Sequence, residues 1–282
     1  MLVNKFSILV SSTDYYEDCW YPFFKLFKYY WSDYNGKIYL LTEKKDFVYD
    51  GLDIFSLKIG YKKKNKPYTW SESLKIALSR IDTPIVLLIL DDLFLNRKVN
   101  TEKIEQLVGE MLKKNISVIY LTDQSTNGPF EKKGELLWKL SQTASNRISA
   151  LIALWNKEKL KLYLKDHENP WQFEIYGTKR SMYMKDSFYI INPEKYGMNK
   201  DPIISHCYPT GITRGKWNRE AVENLFYKHN IKINFNKRGF YYKQEKSLKQ
   251  KIISKLDFKR FISNLKSNIQ LLQLRINSKK IF

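Results

Sequence analysis

Residues 85–95 read IVLLILDDLFL. Six consecutive aliphatic side chains describe a strand covered on both faces, the kind that runs through the middle of a parallel sheet. Two adjacent carboxylates, Asp91 and Asp92, then stand where that strand ends. A charge in such a place costs several kcal/mol unless something compensates it. A bound cation is one compensation. The alternative is that Asp91 caps the next turn or helix while Asp92 faces water.

Working outward, strand and helix patterns take turns. Residues 5–12 (KFSILVSS), 36–43 (GKIYLLTE) and 52–59 (LDIFSLKI) read as strands, and residues 17–34 as an aromatic-rich helix. Residues 69–81 place Trp70, Leu74, Ala77, Leu78 and Ile81 at helical spacing, with Thr69 and Ser71 available as caps. Beyond the aspartates come a helix at 100–115, capped by Asn100 or Thr101, and a strand at 116–122. An exposed loop at 127–135 and a strand running into a helix at 147–166 follow. This alternation predicts an α/β fold with a mostly parallel central sheet flanked by helices. Such sheets bind ligands outside the carboxyl ends of their strands. Ser11, Ser12 and Asp14 end the first strand with a polar cluster of the same kind, which favours a shared site over a simple cap.

Composition bounds the function. The 282 residues suffice for one large domain, or a domain with an appendage, and the 15% aromatic content belongs to a folded chain. The net charge of +20 suits nucleic acid, anionic membranes or phosphorylated substrates. That argument is weak here, because the excess of Lys over Arg together with abundant Asn, Ile and Tyr is what an AT-rich coding sequence produces. Cys19 and Cys207 form no metal or disulfide framework. With no cleavable leader and no apolar run near 18 residues, the expected place is the cytoplasm.

A first strand ending in Ser-Ser with an Asp, a Trp-initiated helix before the strand ending in LDDLFL, then ISALIALWNKEKL and ENPWQFE, form an ordered set. Over about residues 5 to 230 this set resembles bacterial surface-polysaccharide glycosyltransferases of the capsule and lipopolysaccharide type, which have the GT-A fold. The strict Asp-X-Asp of many such enzymes is absent, since position 93 is Leu. The resemblance implies inverting transfer of a sugar from a nucleoside-diphosphate sugar to a lipid-linked glycan acceptor. The leaving diphosphate carries extra negative charge, which Mn²⁺ or Mg²⁺ on hard oxygen ligands neutralises. Asp91 and Asp92 are the candidate metal ligands, with His206 as a third. Ser11, Ser12 and Asp14 are expected at the donor nucleotide, and Arg214 and Lys216 at its diphosphate.

The acceptor hydroxyl needs a general base. By the same resemblance that base is Glu174, with Asp166 and Glu168 as rivals. Read as residues alone, Asn169 and Pro170 begin a helix and Glu174 complements its dipole. Trp171 is a candidate acceptor-stacking ring or a core residue, while Trp70 and Trp155 are expected to pack.

From residue 237 the character changes: 13 Lys and Arg stand against Glu245 and Asp257. Leu248, Ile252, Ile253, Leu256, Phe258, Phe261, Ile262 and Leu265 alternate with lysines at roughly helical spacing. The expected organisation is a catalytic domain over 1–236 and a basic amphipathic helical tail over 237–282. That tail suits the anionic inner face of the cytoplasmic membrane, or packing on the domain. A nucleic-acid-binding module and a metal-dependent nuclease using Asp91, Asp92 and Glu174 are the alternatives. No nucleic acid is expected as a partner, because no recognised motif for it occurs.

Overall fold

The aliphatic run becomes strand β4 (Ile85–Leu90), with five of its six side chains buried. The computed structural model describes residues 5–64, 66–132, 134–243 and 258–279. β4 pairs in parallel along its whole length with β1 (Phe6–Ser11), so that Phe6 faces Ile85 and Ser11 faces Leu90. On the far side of β1 lie β2 (Ile38–Leu40) and β3 (Ile54–Ser56), both parallel. On the far side of β4 lies β8 (Ala153–Asn156), which is antiparallel. Then come β5 (Val118–Tyr120), β9 (Phe188–Ile191), β7 (Leu137–Leu140) and β6 (Phe130–Glu131). The order is β3-β2-β1-β4-β8-β5-β9-β7-β6. The pairings leave β7 and β8 running against the other seven strands. The protein is therefore a mixed α/β fold with a mostly parallel central sheet.

Two features differ from the sequence pattern. Residues 127–135, expected as a loop, contribute β6 at the sheet edge through Phe130 and Glu131, paired with Leu140 and Lys139. A strand of two residues is too short to show a period. The antiparallel β8 lies between β4 and β5, a reversed strand that the alternation did not mark within the mostly parallel sheet it predicts.

Helices cover the sheet. α1 (Glu17–Tyr30) buries Trp20, Phe23, Phe24 and Phe27. α2 (Trp70–Ser79) begins with a reciprocal cap in which the Thr69 hydroxyl accepts from the Glu72 amide and the Glu72 carboxylate accepts from the Thr69 amide. Such a cap contributes about 1 kcal/mol. α3 (Thr101–Lys114), α4 (Lys157–Tyr163), α5 (Pro170–Ser181), α6 (Pro193–Tyr196) and α7 (Arg219–Lys228) follow. Of the tail, residues 237–241 are built into the domain. Arg238 grips Asp18 through two nitrogens and stacks on Tyr15 and Tyr16, and the Tyr241 amide donates to the Trp217 carbonyl. A final helix, α8 (Phe258–Lys279), lies against α5. The tail positions Leu248, Ile252, Ile253 and Leu256 lie outside the described residues, as does the side chain of Phe258.

Candidate active site

After β1 the chain builds outward to β3 and then returns to the other side of β1 as β4. The crevice at such a reversal, outside the carboxyl ends of the two strands, is where open α/β sheets bind ligands. Ser11 and Ser12 end one strand there, and Asp91 and Asp92 end the other. A cleft of about 350 Å³ occupies the place. It brings together Ser11, Ser12, Asp91, Asp92, Trp171, Glu174 and Arg214 from the sequence-derived set. Sequence reasoning did not assign Thr13, Tyr16, Thr210 or Ile212 to it.

The floor is a short relay. The Trp20 indole donates to the Ser12 hydroxyl at 2.7 Å, and that hydroxyl donates to the Asp91 carboxylate. Burial pushes the Asp91 carboxyl well above the usual range, and the neighbouring Asp92 charge pushes the same way against the Ser12 bond. Asp92 is half-buried, and desolvation raises its carboxyl to about 6 although the Thr210 hydroxyl and the Ile212 amide favour its ionised form. Two adjacent carboxyls held above their normal range suit an incoming positive charge.

Thr210 and Ile212 arrive on a segment that pairs with the chain after β4. The Cys207 amide donates to the Phe94 carbonyl at 2.8 Å, and the Gly211 amide to the Asp92 carbonyl at 2.9 Å. A Cβ on Gly211 would stand 2.2 Å from the Phe94 ring, so no larger residue fits without movement. Beyond it, β10 (Ile212–Thr213) and β11 (Lys216–Trp217) form a hairpin. Its two turn residues, Arg214 and Gly215, have φ of 52° and 77°. That turn twists with the strands and places Arg214 at the cleft.

Glu174 forms part of the opposite wall. Pro170 and the Asn169–Gln172 reciprocal cap start α5, which sets the phase of the helix. Oε1 of Glu174 accepts from the Ala150 amide at 2.9 Å and the Ser149 hydroxyl at 3.3 Å. Burial raises its carboxyl despite both bonds. Trp171, one turn earlier, is 71% exposed at the rim, so it is not a core residue. Trp70, expected to pack, does pack on Phe173 at 5.3 Å, but it also lines the cleft and donates to the Ser11 hydroxyl at 3.1 Å. Trp155 is fully buried.

Five other candidates fall elsewhere. Asp14 receives the amides of Glu43, Lys44 and Lys45 and so ties down the loop after β2. Lys216 is exposed on β11 and does not line the cleft. His206 is buried away from the cleft with Nδ1 against its neighbour's carbonyl, and burial holds its pKa down. Among the described residues no three His, Cys, Asp or Glu side chains gather as a metal cluster. Of the rival bases, Asp166 pairs with Lys75, and Glu168 is buried against Arg180.

No protein-family profile and no curated protein matches the chain. Among solved structures it is similar to two chains of S. aureus TarS. The first, TarS 1-349, has 9% identity and a TM-score of 0.43, over 66% of this chain and 57% of that one. The second has 10% identity and a TM-score of 0.42, over 73% and 37%. This chain therefore spans little more than half of the first and about a third of the second. Likeness at these scores carries no argument about activity.

Proposed function

We propose that the protein is a glycosyltransferase of GT-A type that moves a sugar from a nucleoside-diphosphate sugar to a lipid-linked glycan acceptor with inversion. The observation that carries this reading is the juxtaposition, in one cleft at the sheet's switch point, of an acidic strand end, an Arg-bearing hairpin and a separate raised carboxyl. Donor recognition falls to Ser11 and Ser12 on one strand end, with Arg214 pairing the diphosphate oxygens. Glu174 takes the proton of the acceptor hydroxyl as that oxygen attacks the anomeric carbon and the bond to the diphosphate breaks. A carboxyl raised by burial is a better base than an ordinary one, because its conjugate acid holds the proton more tightly. Trp171 offers its exposed face to the acceptor ring.

The acidic strand end fits a divalent ion, since Mg²⁺ is typically held by one or two carboxylates with substrate phosphates completing its shell. Asp92 and Asp91 would hold it, and the charge it supplies would stabilise the departing diphosphate.

A thermal-shift screen of UDP-, GDP-, CMP- and dTDP-sugars, with and without Mn²⁺, tests the reading. One donor at about 100 times its Kd should stabilise the fold by about 2.7 kcal/mol. No shift with any donor in either condition would overturn it.

A further inference from the structure

α8 meets the domain through a side that is polar at Ser263, Asn264 and Ser267 and adds the half-buried Leu271 and Leu274 further along. Ser267 is fully buried, hydrogen-bonded to His167 Nε2 at 2.8 Å and donating to Glu168 Oε1 at 2.7 Å. Ser263 donates to the His167 carbonyl, and Asn264 accepts from the Gln172 amide group at 2.9 Å. The outer side carries Phe261, Ile262, Leu265, Ile269, Leu272 and Ile276, between 39% and 63% exposed. With 3.6 residues per turn these six fall within an arc of about 100°. An amphipathic helix packed on a core would present the reverse arrangement.

Charge decides what covers the stripe. The α8 sequence contains five Lys and Arg and no Asp or Glu. From Ile262 to Ile276 the apolar spacing of three and four would also suit a helix–helix seam. A second copy of the helix in that seam, however, would set two cationic helices together with no Asp or Glu in either. An anionic bilayer satisfies both the stripe and its flanks. Among the described residues no helix is long and apolar enough to cross a membrane. At 1.5 Å per residue α8 is about 33 Å long, and it is its polar side rather than this length that keeps it in the plane of the surface.

We propose that α8 is an in-plane docking helix for an anionic bilayer, with its apolar stripe at the boundary of headgroups and acyl chains and its polar side clamped to the domain. This assignment does not rest on the reading of the cleft. It has a consequence for the cleft, because the clamp reaches Gln172 on α5, the helix that carries Trp171 and Glu174. The docked helix and one wall of the cleft form a single unit, which would hold the rim close to the surface where a lipid-borne acceptor lies.

The test is sedimentation of the full chain with phosphatidylglycerol–phosphatidylcholine vesicles and with phosphatidylcholine vesicles alone. The anionic vesicles should bind the chain, rising salt should weaken that binding, and neutral vesicles should bind it at least tenfold less. Exchanging both Ile269 and Leu272 for Ser should lower binding to anionic vesicles by tenfold or more, since each buried aliphatic side chain accounts for about that factor. Lys266→Gln, which leaves the stripe whole, should lower it about fivefold. Both changes lie on exposed positions, and far-UV melting checks that the variants fold. Equal binding to both vesicle types, or unchanged binding by the double variant, overturns the proposal. So does a concentration-dependent dimer that the double variant abolishes in a chain that binds no vesicles. Donor-induced thermal shifts without vesicles report on the cleft separately.

Discussion

Glu168 and Asp91 are both buried carboxylates, and their surroundings differ completely. Glu168 has no exposed surface, and both of its oxygens are met by Arg180 nitrogens at 2.6 Å, with Ser267 adding a third bond. Asp91 is 6% exposed, receives the Ser12 hydroxyl, and stands beside a second carboxylate. In the first place the chain supplies its own cation and the charge is structural. In the second no side-chain cation is within bonding distance among the described residues, so the charge is left for something that arrives from outside. Glu174 stands between these cases. It is held by an amide and a hydroxyl, with no ion pair, at a wall open to the cleft.

The largest expected effect bears on that intermediate case. Glu174→Gln keeps the bonds to Ala150 and Ser149 possible while removing basicity. Turnover measured with saturating donor should fall roughly 10² to 10⁴-fold, with donor affinity nearly unchanged. Retained turnover would remove Glu174 from the role of base and leave it as a clamp on the 149–150 loop.

Breaking the compensated pair should show in stability. Arg180→Leu strands the Glu168 charge, and loss of one partner of a buried pair costs about 3 to 5 kcal/mol. Denaturant unfolding measures it. A loss below about 1 kcal/mol would mean that water reaches Glu168 and that the contrast with Asp91 is false.

At the uncompensated end the sign reverses. The folded chain holds the Asp92 proton more tightly than the unfolded chain, with a carboxyl at about 6 against 3.8. Its contribution to stability is therefore fully present below about pH 4 and is lost as pH rises through about 6. Asp92→Asn should stabilise the ligand-free protein at pH 7, by about 3 kcal/mol at most, and flatten its stability between pH 4 and 6. The same variant should lose any stimulation of donor binding by Mn²⁺ in the thermal-shift assay. Destabilisation at pH 7 would show that the charge is already compensated.

The smallest effect concerns how Asp92 is held. Gly211→Ala drives a methyl into the Phe94 ring and should cost about 1 to 3 kcal/mol. It should also weaken donor binding more than a core change of equal cost, because Gly211 anchors the segment that brings Thr210 and Ile212 to Asp92. Equal losses in both would reduce that segment to packing.

Much of this was legible before folding. A continuous aliphatic run has one use in an alternating chain, so β4 and the acidic pair at its end followed from residues 85–92. Pro170 and Asn169 marked the start of α5 because proline is pre-shaped for a first turn. Local chemistry of this kind acts over a few residues and leaves a local trace. The tail was legible in character, since a basic stretch with recurring apolar residues is visible as composition. Which of its residues face outward was not, because that depends on the Ser263, Asn264 and Ser267 contacts with a loop nearly a hundred residues away.

The sequence by itself determined the strand-helix alternation, the buried strand and the position of Asp91 and Asp92 at its end, all of which follow from periodicity and the cost of burying charge. Tertiary structure alone decided that β8 runs backwards beside β4 and that Arg238 returns to Asp18 over the aromatic pair Tyr15 and Tyr16. It also decided that, of two glutamates six positions apart, Glu168 meets an arginine while Glu174 reaches the cleft. The physical reason is that a carboxylate's role is set by what stands within about 3 Å of its oxygens, and in a folded chain those neighbours come from distant segments that no local pattern brings together.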